Sequence, residues 1–180
     1  MLYAGIDEAG YGPLLGPLCG GVSVFEVDGS PDDDTPCLWN TLQTVITRSR
    51  RDSRGRISIV DSKKLKGAGE NAHPLTHLER GVLAFASATR ERNWLEGLDD
   101  TTLLAELGVD RPASPWYDTT TPLPLGRTRD ALRIDRSRLN RAIDRTATTC
   151  THLAARAIDA DDFNLRVQQS GSKAIVNWEL

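Results

Sequence analysis

Three cysteines in 180 residues are too few for a disulfide scaffold. Cys19, Cys37 and Cys150 are odd in number and far apart, so a thiolate zinc cluster is excluded and reduced thiols are expected. Long hydrophobic runs are also missing. None approaches the ~20 apolar residues of a membrane-spanning helix, so the chain reads as soluble with no membrane partner. The first residues lack a basic segment followed by an apolar core, so no signal peptide is apparent and the expected location is cytoplasmic. No G-x-S-x-G elbow and no H-E-x-x-H occurs. His73 and His77 have zinc spacing, but Pro74 places His73 at or before a helix start. Strong net charge is absent as well. The balance of −3 gives no global attraction to nucleic acid.

What is present suits one domain, residues 1–180, with ordinary apolar (39%) and charged (26%) content, so a sizeable core can form. Strands are expected at 2–7, at 18–27 with its β-formers Val22, Val24 and Phe25, at the β-branched 56–61, and at 148–158. Helical periodicity predicts helices at 37–48, 74–92 and 128–145. In the second of these, Leu75, Leu78, Val82 and Phe85 mark the apolar face. A last helix starts at Asp161 with Phe163, Val167, Ala174 and Trp178 on one face. Residues 108–127 are rich in Pro, Thr and Gly and read as a loop or lid. Cys150, inside a predicted strand, reads as a small buried apolar group.

Charge is concentrated where the total hides it. From Arg48 to Lys66 there are eight basic residues against Asp52 and Asp61. The segment is either a solvated loop or a set of phosphate contacts. Asp61 is read as the cap of the turn that follows it. Asp32, Asp33 and Asp34 lack the spacing of a calcium loop and are read as solvated. Trp116 and Tyr117 either stack on a base or anchor their loop.

The stretch GIDEAGYGPLLGP sets Asp7 and Glu8 directly before Gly10 and Gly12. Neighbouring strand residues point to opposite faces, so the two acids converge only if the strand ends there. The glycines permit such an end and let a ligand approach main-chain N–H groups. Adjacent carboxylates repel unless a cation sits between them, and hard oxygen ligands select Mg²⁺ or Mn²⁺. A divalent ion beside a backbone phosphate seat suits phosphodiester chemistry. The bland alternative is a Gly-rich hairpin with solvated acids.

GIDEAGYGPLLGP resembles the first signature of the type 2 ribonuclease H family, G-x-D-E-A-G-R-G-P-x-x-G-P. IVDSKKL, residues 59–65, is similar to its second, D-S-K-K-L, and residues 159–180 are loosely similar to a family helix. The resemblance implies an α/β ribonuclease H-like fold, a mixed sheet with flanking helices. It starts with an antiparallel run of three strands and adds the strand at 148–158 after a Pro/Thr-rich insertion around 93–127. It implies hydrolysis of the RNA strand of RNA–DNA hybrids with Mg²⁺ or Mn²⁺. Asp7 and Glu8 would be the catalytic metal ligands. Gly10, Tyr11 and Gly12 would contact the sugar–phosphate, and Lys63 and Lys64 the phosphates. Tyr11 departs from the family's Arg and lacks its charged fork. The family also needs two further aspartates, one on the strand after the helix resembling residues 160–180. The expectation is therefore an N-terminal portion of a longer protein, or a truncated descendant. A catalytically inactive nucleic-acid-binding module is the alternative.

Overall fold

The computed structural model describes residues 1–9, 16–30, 34, 36–67, 73–90, 93–111 and 117–180. The chain runs through β1 (Leu2–Ala9), β2 (Leu18–Glu26), α1 (Leu38–Thr41), β3 (Ile46–Thr47), β4 (Ile57–Ser58) and α2 (Ser62–Leu65). It continues through α3 (Thr76–Ala88), α4 (Asp100–Glu106), α5 (Arg129–Thr146), β5 (Thr149–Ile158), α6 (Ala160–Ser170) and α7 (Lys173–Trp178). The architecture is mixed α/β. A small antiparallel sheet has the order β1-β2-β5, and β3 pairs with β4 in parallel. The strand expected at 56–61 thus shrinks to β4 and does not extend the opening pair; β5 fills that place. No helix among the described residues is long and apolar enough to cross a membrane.

Two compact units divide the chain. One comprises Met1–Tyr3, Phe25–Leu98 and Pro122–Thr151; the other comprises Ala4–Val24, Asp99–Thr121 and His152–Leu180. In the first, α3 and α5 pack together, and Leu42, Ile46, Ile57, Ala84 and Leu139 form the core. The helix expected at 37–48 stops after one turn. Val45 and Ile46 are β-branched, which favours extended backbone, and Ile46 pairs with Ile57 across β3 and β4. The α3 face is also rotated from the apolar stripe in the sequence. Val82 stays 47% exposed while Arg80, Gly81 and Ala84 are buried. Small side chains there allow close approach: a Cβ on Gly81 would lie 3.0 Å from Ile59 Cδ1. Arg80 is buried because Asp135 on α5 neutralises it, with Nε to Oδ2 at 2.7 Å and Nη2 to Oδ1 at 2.6 Å.

The loop before α5 docks on the first turn of α3. Glu79 accepts the backbone N–H groups of Leu125 and Gly126. A Cβ on Gly126 would come within 2.9 Å of Thr76 Cα, which is backbone and cannot swing away. Gly126→Ala should therefore cost about 1–3 kcal/mol in urea unfolding. A loss too small to resolve would contradict this docking.

In the second unit Leu18, Ile158, Phe163 and Val176 form the core, with Val167 and Leu180 packed on it. The last helix is not continuous. Gly171, at φ 71°, ends α6 in a left-handed cap, and α7 starts two residues later. That break rotates the final turns, so Phe163 is 1% exposed but Trp178, expected on the same face, is 91% exposed.

Candidate functional site

β1 continues through Ala9, so Asp7 and Glu8 lie inside the strand and not past its end. Their side chains leave the backbone on opposite sides. The strand does not end at the pair, so the convergence expected on that ground is not seen. Both acids nonetheless line one cavity of about 720 Å³ together with His152, Arg156, Asn177 and Trp178. Both are exposed. Asp7 Oδ1 accepts the backbone N–H of Glu8 at 3.0 Å. The Glu8 carboxylate has no partner among the described residues, nor has the guanidinium of Arg156. Asn177 Oδ1 is buried without a donor.

Sequence reading missed the β5 contribution. His152, Ala154 and Arg156 recur at the two-residue period of a strand, and all three line the cavity. The strand itself was legible at 148–158, but Ala155 lines the cavity too, so no alternation singled these residues out. Gly10, Tyr11 and Gly12 lie outside the described residues, as do Asp32, Asp33 and Trp116.

Lys63 and Lys64 belong to the other unit, on α2. Asp61 caps that turn, accepting the backbone N–H of Lys63 at 2.8 Å, as its position in the sequence suggested. Both lysines are exposed and make no ion pair among the described residues. In the adjoining basic segment two cations serve the structure. Arg48 lies over the Trp39 ring, 4.5 Å from its centroid, and Arg56 pairs with Asp52 at 2.7 Å. Arg50, Arg51, Arg54 and Lys66 have no carboxylate partner among the described residues. His77 is half-buried. Burial, then the charges of Arg50, Arg80 and Arg127, hold its pKa below the ordinary value. Cations around His77, and His73 Nδ1 spent on the N–H of Leu75 at 3.3 Å, disqualify the histidine pair as a zinc site.

Asp52 organises the loop. Its side chain accepts the Arg56 backbone N–H at 2.8 Å and the Arg56 guanidinium at 2.7 and 3.1 Å. The guanidinium bonds, then the backbone bond, lower its pKa from 3.8 to about 2. A folded-state pKa below the unfolded one means stability present above 3.8 and lost as pH falls through about 2. In melts followed by circular dichroism, Asp52→Asn should be less stable than wild type near neutrality. The gap should close on acidification between those two values. A gap constant down to the lower value would contradict the assignment.

No group of three or more His, Cys, Asp or Glu side chains able to hold a metal occurs among the described residues. Mg²⁺ needs no such cage: it keeps several waters and takes one or two carboxylates plus substrate phosphate. Asp7 and Glu8 fit that mode in donor type; the alternation of β1 does not by itself bring both carboxylates to one ion. No protein-family model, curated protein or solved structure matches the chain.

Proposed function

We propose that the chain is a ribonuclease H-like hydrolase of the type 2 family that cleaves the RNA strand of RNA–DNA hybrids. Asp7 and Glu8 would hold Mg²⁺ or Mn²⁺, which when bound supplies Lewis acidity at the scissile phosphate. The observation that carries this reading is two exposed carboxylates bordering a cavity with the guanidinium of Arg156; among the described residues Glu8 and Arg156 have no partner. Arg156 would attract and orient a phosphate there. The unpaired cations of the basic segment, with Lys63 and Lys64, would hold the nucleic-acid backbone. Gly10, Tyr11 and Gly12 complete the signature and would contact the sugar–phosphate.

A second reading, a nucleic-acid-binding module without catalysis, is favoured by the lack of a third metal-ligating side chain at the pair among the described residues. One assay separates them. A labelled RNA–DNA hybrid is incubated with the chain in Mn²⁺ or in EDTA, and binding is measured alongside. The hydrolase reading expects the RNA strand cut only with Mn²⁺. Salt-sensitive binding without cleavage would replace it with the second reading, and neither binding nor cleavage would remove both.

A further inference from the structure

Trp178 is the last residue of α7 and lines the same cavity as the acidic pair, within one compact unit. It is 91% exposed. No hydrogen bond or ring contact holds its indole among the described residues. Trp39, in the other unit, is committed by contrast: its Nε1 donates to the Ile59 carbonyl at 2.8 Å and Arg48 covers its ring. The exposure of Trp178 is not that of a loose end. Two residues before it Val176 is fully buried, and two residues after it Leu180 packs on the same core. A Cβ on Gly20 would lie 2.8 Å from Leu180 Cδ2, so this segment sits directly on β2. The backbone at Trp178 is anchored on both sides while the ring is left bare. That is a pre-organised surface, which costs little ordering when something lies on it.

The cavity has two chemically different parts. Asp7, Glu8 and Arg156 are charged, whereas Ile6, Ala174 and Trp178 are apolar, and Ile6 is 82% exposed. A bare phosphate would use only the charged part. A nucleotide, an anionic linkage joined to a flat ring, uses both, and about 720 Å³ is room enough for one. A base stacked inside a duplex has its faces covered by its neighbours, so the base that meets the indole must be unpaired. We propose that Trp178 is a stacking platform for an unpaired base, so that the site takes RNA–DNA hybrids with a single-stranded end beside the bound linkage. The bound linkage rests on the nuclease reading above; the unpaired base is a separate claim.

The test is fluorescence anisotropy in EDTA, with the full chain and two labelled RNA–DNA hybrids, one blunt and one with a short RNA overhang. The wild type should bind the overhang hybrid about tenfold more tightly. Trp178→Ala should lose most of that ratio and Trp178→Phe should keep most of it. Leu165→Ala, at an exposed position of α6 outside the cavity, should leave it unchanged. An overhang of abasic units, which keeps the phosphates without the bases, should also lose most of it. A ratio unchanged by Trp178→Ala, or kept by the abasic overhang, would overturn the proposal. Self-association of the wild type that is lost in Trp178→Ala would assign the indole to a second copy of the chain and overturn it too. Equal binding of the two hybrids by the wild type, with Mn²⁺-dependent cleavage of the blunt hybrid intact, would remove this proposal alone. A wild-type chain that binds neither hybrid would remove it together with the nucleic-acid reading.

Discussion

Asp7→Asn should reduce Mn²⁺-dependent cleavage of an RNA–DNA hybrid by at least a hundredfold while leaving the fold intact. Asn keeps the size of Asp and an oxygen that can still accept the Glu8 backbone N–H, the one hydrogen bond seen for the Asp7 side chain. The residue is exposed, so stability should stay within about 0.5 kcal/mol of wild type. What disappears is one of the two carboxylates proposed to hold the metal. A hundredfold loss corresponds to about 2.7 kcal/mol at the transition state. Gel assays of initial rate, with melting curves beside them, check both halves. Cleavage retained in Asp7→Asn would show that the acidic pair is not the reacting centre.

The largest stability effect should come from Arg80→Met. The Arg80 guanidinium satisfies Asp135 twice and also donates to the carbonyls of Arg56 at 2.9 Å and Gly55 at 2.7 Å. It therefore ties α3 to α5 and to the end of the basic loop. Removing it strands a carboxylate that is 3% exposed, with Arg127 Nε 3.9 Å away as its remaining cation. Breaking such a pair from one side costs about 3–5 kcal/mol, because a buried charge is left uncompensated. Urea unfolding should show the midpoint falling at unchanged slope. Arg80→Met combined with Asp135→Leu should recover more than half of the loss, since neither charge is then buried. A loss below about 1 kcal/mol in the single variant would mean that Asp135 finds other partners.

The parts of this architecture that were legible in the sequence are those fixed by local chemistry. α5 is legible at 128–145, and its start is fixed locally by Thr128, whose hydroxyl accepts the Ala131 N–H at 3.2 Å; the left-handed cap at Ala147 is not legible, since alanine disfavours that backbone. β5, Thr149–Ile158, is legible as the strand expected at 148–158. The parts that were not legible depend on partners distant in sequence. Arg80 reads as a surface residue until Asp135 is placed against it. Ile57 reads as part of a longer strand until Ile46 takes it in a parallel pair. Trp178 reads as core until Gly171 is known to break the helix between α6 and α7. At the site, Asp7 and Glu8 were legible as a pair, because adjacent acids before closely spaced glycines are chemically unusual. Arg156 and Asn177 were not, because nothing local distinguishes them from ordinary surface residues.

The most direct test of the account is Mn²⁺ uptake by calorimetry, in the presence of a hybrid made uncleavable by 2′-O-methyl groups. The account predicts a saturable heat of binding in the wild-type chain that vanishes in the Asp7→Asn, Glu8→Gln double variant. Equal uptake by both proteins, or none by the wild type, would contradict it.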